Sequence, residues 1–298
     1  VVVNADDCLC GLQEAIINAN NNSQLFTTAG ECDPGSGAAD TINLPAAGLF
    51  TLPTYYSYQY YSDTGLPSID SDITIEGNNA TIERSSAVAT PAFRIMAVSA
   101  TGHLTLNSVT IKNGNSTEDG GGLYNGGGYA LLQNVTFTYN NASDDGGAVE
   151  NDENGTMIID GGRISLNSAG HLGGGVSSES GAVLTIRNNA QIIYNYASDG
   201  GGGLMADESG LVTIDGSTIS GNISRYFGGG IATYKTEIII QNNSLISENY
   251  AAVYGGGADL YLSTVTIADS TVTDNGAGYQ GAGIHSDGSE VNIERSTI

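Results

Sequence analysis

Apolar residues recur along this chain in three columns with a period of about 27 residues. The first column is Ile82, Ile111, Phe137, Ile164, Ile192, Ile219, Ile246, Val272 and Ile298. The second is Ile75, Leu106, Leu132, Ile159, Ile186, Ile214, Ile240, Ile267 and Ile293, and the third is Leu123, Val149, Val176, Leu204, Ile231, Ala258 and Ile284. Around the first two, polar and apolar residues alternate, as in Leu104 to Leu106, Val212 to Ile214 and Val265 to Ile267. That alternation is the period of a strand buried on one face. Frequent Gly, Asn, Ser and Asp leave no room for the long amphipathic runs of a helical repeat.

Three columns per period predict three short strands per coil, each coil burying its apolar edge only against its neighbours. The expected fold is all-β: a right-handed single-stranded parallel β-helix, a β-solenoid of three strands per coil of about 27 residues. Right-handedness follows from the hand of parallel crossovers. The domain division places an N-terminal cap at 1–40 and the β-helix at 41–298, with a Tyr-rich insertion at 54–68. Within the cap, Gly11 to Asn21 sets Leu12, Ala15, Ile16 and Ala19 on one face of a short helix that would close the first coil.

Glycine blocks precede the third column, at Gly120 to Gly122, Gly173 to Gly175, Gly201 to Gly203, Gly228 to Gly230 and Gly255 to Gly257. Asparagines follow the first column by three residues at Asn140, Asn167, Asn195, Asn222, Asn249 and Asn275. Stacked one coil apart, their amides can form a hydrogen-bonded ladder.

Net charge is -24, from 32 acidic and 8 basic residues, which argues against nucleic-acid binding and anionic membranes. No stretch is apolar and long enough to insert in a bilayer, and no signal peptide is evident. A chain opening at Val1 without Met reads as a processed or trimmed form. Cys8 and Cys10 are too close for an ordinary bridge, so Cys32 is expected to pair with Cys10 or Cys8. Such a bridge favours an extracellular or cell-surface location.

The run Cys10 to Ile16, CGLQEAI, followed by NAN, DTINL, ITIEGNNATI, LTLNSVTIKNG and the GGG blocks, resembles the bacterial CSLREAI-motif family of secreted parallel β-helix proteins. Gly11 and Gln13 stand where that family has Ser and Arg. The glycine block followed by an apolar residue is also similar to the repeats of polymorphic outer-membrane protein adhesins. These resemblances imply a secreted or surface location and supply no catalytic residues.

Candidate chemistry is sparse. Asp119, Asp145, His171 and Asp199 fall roughly one coil apart and are expected to share one edge, with carboxylates about 5 Å apart, near the spacing of retaining glycosidases. The Asp144–Asp145 and Gly170–His171 pairs resemble elements of polygalacturonase-like enzymes. Against catalysis stand the absence of a basic cleft for anionic sugars and the absence of Trp. Asp144, Asp145, Glu150, Asp152 and Glu153 crowd one coil and are candidate calcium ligands, calcium being the one cofactor the chemistry suggests. His103, His171 and His285 have no Cys or His at zinc-like spacing.

The sequence therefore points to a secreted or cell-surface structural or adhesive rod that is not an enzyme. A polysaccharide lyase or glycoside hydrolase and a calcium-stabilised glycan-binding adhesin are the alternatives. Tyr55, Tyr56, Tyr58, Tyr60 and Tyr61 form a candidate contact surface. Beyond Ile298 no cap is visible, and Val1, Val2 and Val3 could add as a strand to another molecule's open end. Head-to-tail self-association into a filament is the partner expectation, beside an extracellular glycan or surface ligand, with no nucleic acid and no membrane insertion.

Overall fold

The computed structural model describes residues 10–23, 25, 32–35, 37, 39–60 and 62–298. The expectations on Val1 to Val3, Cys8 and Tyr61 fall outside these residues. Among the described residues, parallel strands stack into four sheets. The second column forms a ten-stranded sheet from Asp40–Asn43 to Glu290–Glu294, and the first a nine-stranded sheet from Leu49–Leu52 to Thr271–Thr273. The third column forms an eight-stranded sheet from Met96–Val98 to Ile284–Asp287. The expected parallel β-helix is therefore present, with the columns in register from coil to coil: Ile164, Ile192, Ile219 and Ile246 are successive partners.

A fourth sheet was not anticipated. Its seven strands are two residues long, from Asn115–Ser116, which follows Gly114, to Gly276–Ala277, and the last six each follow a ladder asparagine. Asn167 Nδ2 donates to Asn195 Oδ1 at 3.0 Å, Asn195 to Asn222 at 3.0 Å and Asn222 to Asn249 at 3.0 Å. The same oxygens accept from the backbone N–H of the asparagine one coil earlier, as in Asn167 N to Asn195 Oδ1 at 3.0 Å. The ladder offsets a local strain. The residue just before each asparagine is left-handed, with φ of 56° at Tyr139, 61° at Leu166 and 57° at Tyr194, a conformation costing about 1–2 kcal/mol outside glycine. Asn195→Ala should therefore cost about 2–4 kcal/mol, because it strands the buried Asn167 N–H and amide and the Ile164 carbonyl. Urea unfolding of the variant would show this as a lower midpoint at unchanged slope.

The glycine blocks serve two needs. Gly201 has φ of 63°, and a Cβ on Gly202 would lie 2.5 Å from the Gly229 carbonyl of the next coil. Only glycine meets both the left-handed turn and the close approach.

The cap helix spans Leu12–Asn21, with Leu12, Ile16 and Ala19 buried against the first coil. Glu14 accepts from the Gly11 N–H at 2.8 Å, and Gln13 Nε2 donates to the Gly65 carbonyl at 2.8 Å. A disulfide joins Cys10 to Cys32 and ties the helix to the following loop. The Tyr-rich insertion contains an antiparallel hairpin, Ser57–Gln59 with Ser62–Thr64. Tyr55, Tyr56 and Tyr58 are exposed on it, whereas Tyr60 folds back onto Tyr124 with ring centroids 5.2 Å apart. At the far end, Ile293 and Ile298 are exposed and Glu290–Glu294 is paired on one side.

Candidate functional site

The eight-stranded sheet carries the chemistry. In its four-residue strands the first and third residues point inward, as Leu204 and Ala206 do, while the second and fourth face out beneath an overhanging loop. The outward second positions read Tyr124, Glu150, Ser177, Met205, Ala232, Asp259 and His285 from coil to coil. The fourth positions read Gly126, Asp152, Glu179, Asp207, Tyr234, Tyr261 and Asp287. The loop just before the glycine blocks forms the opposite wall.

This wall corrects the predicted column. Coil-to-coil pairing aligns Asp119 and Asp145 with Leu172, Gly200, Phe227, Tyr254 and Gln280. His171 and Asp199 belong to the neighbouring row, with Asp144 and Tyr226: His171 N donates to the Asp144 carbonyl at 3.1 Å and Asp199 N to that of His171 at 2.9 Å. The chain takes 26 residues from Gly120 to Gly146 but 27 from Gly146 to Gly173, so a fixed step drifts by one residue. The four residues nevertheless converge. His171 Nδ1 lies 3.0 Å from Asp145 Oδ1 and 3.4 Å from Asp144 Oδ1, and its Nε2 lies 3.3 Å from Asp199 Oδ2. Asp119 joins them by accepting from the Asp145 N–H at 3.0 Å. Asp144, Asp145 and His171 can each offer one ligand atom within 4.8 Å of the others.

Behind this rim lies a buried acidic layer. Glu150 is 2% exposed, and neither carboxyl oxygen has a hydrogen-bond partner. Burial, and then the charges of Glu179, Asp119, Asp145 and Asp152, hold its carboxyl far above the ordinary range. Burial pushes Asp145 up to about 7, reinforced by Asp144 and Asp119. Burial, then Asp145, pushes Glu179 up to about 8. Asp145 and Glu179 are close enough to share a hydrogen bond once one is protonated. Glu179 also accepts from Ser177 Oγ at 2.7 Å, and Tyr124 OH donates to Asp152 Oδ2 at 3.0 Å. Of the predicted calcium set, Asp145, Glu150 and Asp152 thus meet in this layer, while Asp144 stands exposed at the rim and Glu153 in an exposed turn. Arg94, fully buried, stacks its guanidinium on Tyr124 at 4.6 Å and closes this end.

Toward the C-terminal coils the groove turns aromatic. Tyr234 and Tyr261 stack at 5.6 Å with planes 15° apart, Tyr254 stacks on His285 at 4.7 Å, and the Phe227 ring covers Gly200. His285 Nδ1 contacts Asp259 Oδ1 at 2.6 Å. Three adjoining clefts of about 330, 310 and 370 Å³ follow the sheet, sharing Asp207 and Tyr234 at one junction and Asp259 and Tyr261 at the next.

Sequence reasoning missed Glu179, Asp207, Asp259 and the Phe227–Tyr261 aromatics. The available signal was the polar and aromatic residues one and three places after each third-column position, the outward half of those strands.

Residues 148–298 match the family described as a right handed beta helix region. No curated protein and no solved structure matches the chain.

Proposed function

We propose, for a chain that belongs to the right-handed β-helix family, that it is an adhesive rod gripping a glycan along the groove of its eight-stranded sheet. The observation carrying this reading is the groove's division into a hydroxyl-binding acidic end and an aromatic end. Stacked tyrosines offer flat apolar faces to sugar rings, and carboxylates accept from sugar hydroxyls. The surplus of acids favours neutral over anionic polysaccharides. An extracellular or cell-surface setting is supported by the Cys10–Cys32 disulfide and by the cap's resemblance to secreted CSLREAI-motif proteins.

Affinity electrophoresis in gels of neutral and acidic polysaccharides tests this. The chain should be retarded by at least one neutral polymer, and Tyr234→Ala with Tyr261→Ala should weaken retention about tenfold, equivalent to about 1.4 kcal/mol. Binding to no polymer, or retention indifferent to both tyrosines, would overturn the reading.

Hydrolysis of the bound glycan is the second reading, favoured by the proton that Asp145 and Glu179 hold near neutral pH. It expects new reducing ends from a polymer that binds, lost in Asp145→Asn.

A further inference from the structure

We propose that His171, Asp144 and Asp145 form a site for a divalent ion of the zinc class at the rim of the groove, with Asp199 holding the imidazole in place. The site does not depend on the glycan reading. Among the described residues, these three are the group whose ligand atoms lie within 4.8 Å of one another. Their spacing suits a metal. Zinc bonds to imidazole nitrogen and carboxylate oxygen are about 2.0–2.2 Å long, so two tetrahedral ligands lie roughly 3.3–3.5 Å apart. His171 Nδ1 stands 3.0 Å from Asp145 Oδ1 and 3.4 Å from Asp144 Oδ1, so a slight side-chain movement seats an ion between them.

The groups behind the ligands are in place as well. The other ring nitrogen of His171, Nε2, lies 3.3 Å from Asp199 Oδ2, and a proton held there leaves the Nδ1 lone pair facing the two aspartates. Asp145 Oδ1 accepts from the Leu172 N–H at 2.6 Å, and the Asp145 N–H donates to Asp119 Oδ1 at 3.0 Å, which fixes this residue at the rim. Charge points the same way. Among the described residues, Asp144, Asp145 and Asp199 form ion pairs with His171 alone, so three carboxylates face at most one positive charge, and a divalent ion redresses the balance. A nitrogen among the donors disfavours calcium, which takes oxygen ligands, and suits zinc. His171 and Asp144 are about half exposed, which gives the ion a path in. Three protein ligands leave a fourth position for water or an incoming hydroxyl. The imidazole also lines the cleft of about 310 Å³, so that position adjoins the groove. Zinc-like spacing is missing from the sequence because the ligands come from consecutive coils, Asp145 and His171 being 26 residues apart.

The test is calorimetric titration of zinc chloride into the full chain after stripping with EDTA, at neutral pH. One zinc should depend on the rim, and His171→Ala should weaken it at least about a hundredfold, beyond the roughly 10–100-fold that residues behind the ligands cost. Asp199→Asn, which keeps the shape and removes the charge, should weaken it about tenfold. Cobalt(II) in place of zinc should give the strong visible absorption of a four-coordinate ion, and His171→Ala should abolish it. His103→Ala, whose ring packs on Tyr129 in the ten-stranded sheet, should bind as the wild type does. If His171→Ala fails to fold, Asp144→Asn, at an exposed position, must weaken both readouts instead. Silence of the wild type up to on the order of 1 mM zinc overturns the proposal. So does zinc binding that survives His171→Ala unchanged, or calcium bound as tightly as zinc, which would mean an all-oxygen site.

Discussion

Ile219→Asp will abolish the cooperative native state of the chain. Ile219 is fully buried between Ile192 and Ile246 in register, and its side chain packs against Gly203, in the turn before Leu204–Asp207. The substitution loses about 1.5–3 kcal/mol of apolar burial and places a carboxyl where no hydrogen-bonding partner exists. An unpaired buried charge adds several kcal/mol more, bringing the loss to about 5 kcal/mol or beyond, comparable with the whole stability of many domains. A solenoid magnifies the damage, because both flanking coils lose the same interface. Ile219→Val should cost only about 1 kcal/mol, and Thr218→Asp, one residue away on the outer side of the strand, should be close to neutral. A sharp melting transition retained by Ile219→Asp in circular dichroism would mean that this column does not form the core.

With no divalent cation present, the rod will melt at a higher temperature at pH 5 than at pH 8. Asp145 rises from 3.8 to about 7 on folding and Glu179 from 4.5 to about 8, so the folded chain holds protons that the unfolded chain has released. Carboxyls raised in this way stabilise fully below their unfolded values, and the contribution is lost as pH climbs through the folded ones. The loss therefore falls between about pH 4 and pH 8. Glu150 acts with the same sign, and Asp119, Asp144, Asp152 and Asp207 add repulsion once all are ionised, opposed by Arg94 and Lys235. Asp145 and Glu179 share one site, and the proton held by one of them is worth about 4 kcal/mol. At this chain length that corresponds to on the order of 8 °C. Salt-bridged Asp160, held down by Asn188 and Arg187, works in the opposite direction but only in more acid solution. Differential scanning calorimetry from pH 5 to 8 checks the slope, which Glu179→Gln should flatten. A melting temperature that rises across this range would contradict the burial of these carboxyls.

The columns were legible because an inward residue of a coil touches chiefly its own counterparts one coil away, so a single physical demand repeats at a constant interval. The asparagine ladder and the glycine blocks announced themselves for the same reason. What repeats is visible. The two-residue sheet was not, since two residues cannot display an alternation, and its strands are defined by the turn that precedes them. The groove was half visible. Asp119 and Asp145 were found, but His171 and Asp199 were set in their row because one extra residue in the intervening coil shifts the count. Glu179 and Asp207 escaped because outward positions vary freely from coil to coil and carry no periodic signature. The choice of Cys10 over Cys8 depended on where the cap helix docks, a tertiary matter that spacing alone left open.

The in-register ladders also govern how such a gene can change length. Excising Gln191 to Ser217 would bring Ala190 to Thr218, hand Ile164 the partner Ile219 and Asn167 the partner Asn222, and leave every hydrogen-bonded column closed. A single codon lost within Thr218–Ser220 would instead turn Ile219 out of the interior. Viable length variants should therefore differ by whole coils, with smaller gains confined to loops such as the hairpin insertion. The same excision would remove Met205 and Asp207 and set Glu179 directly beneath Tyr234, moving the acidic end against the aromatic one. Duplication and loss of coils thus edit the groove in steps of one rung, leaving the scaffold that carries it unaltered.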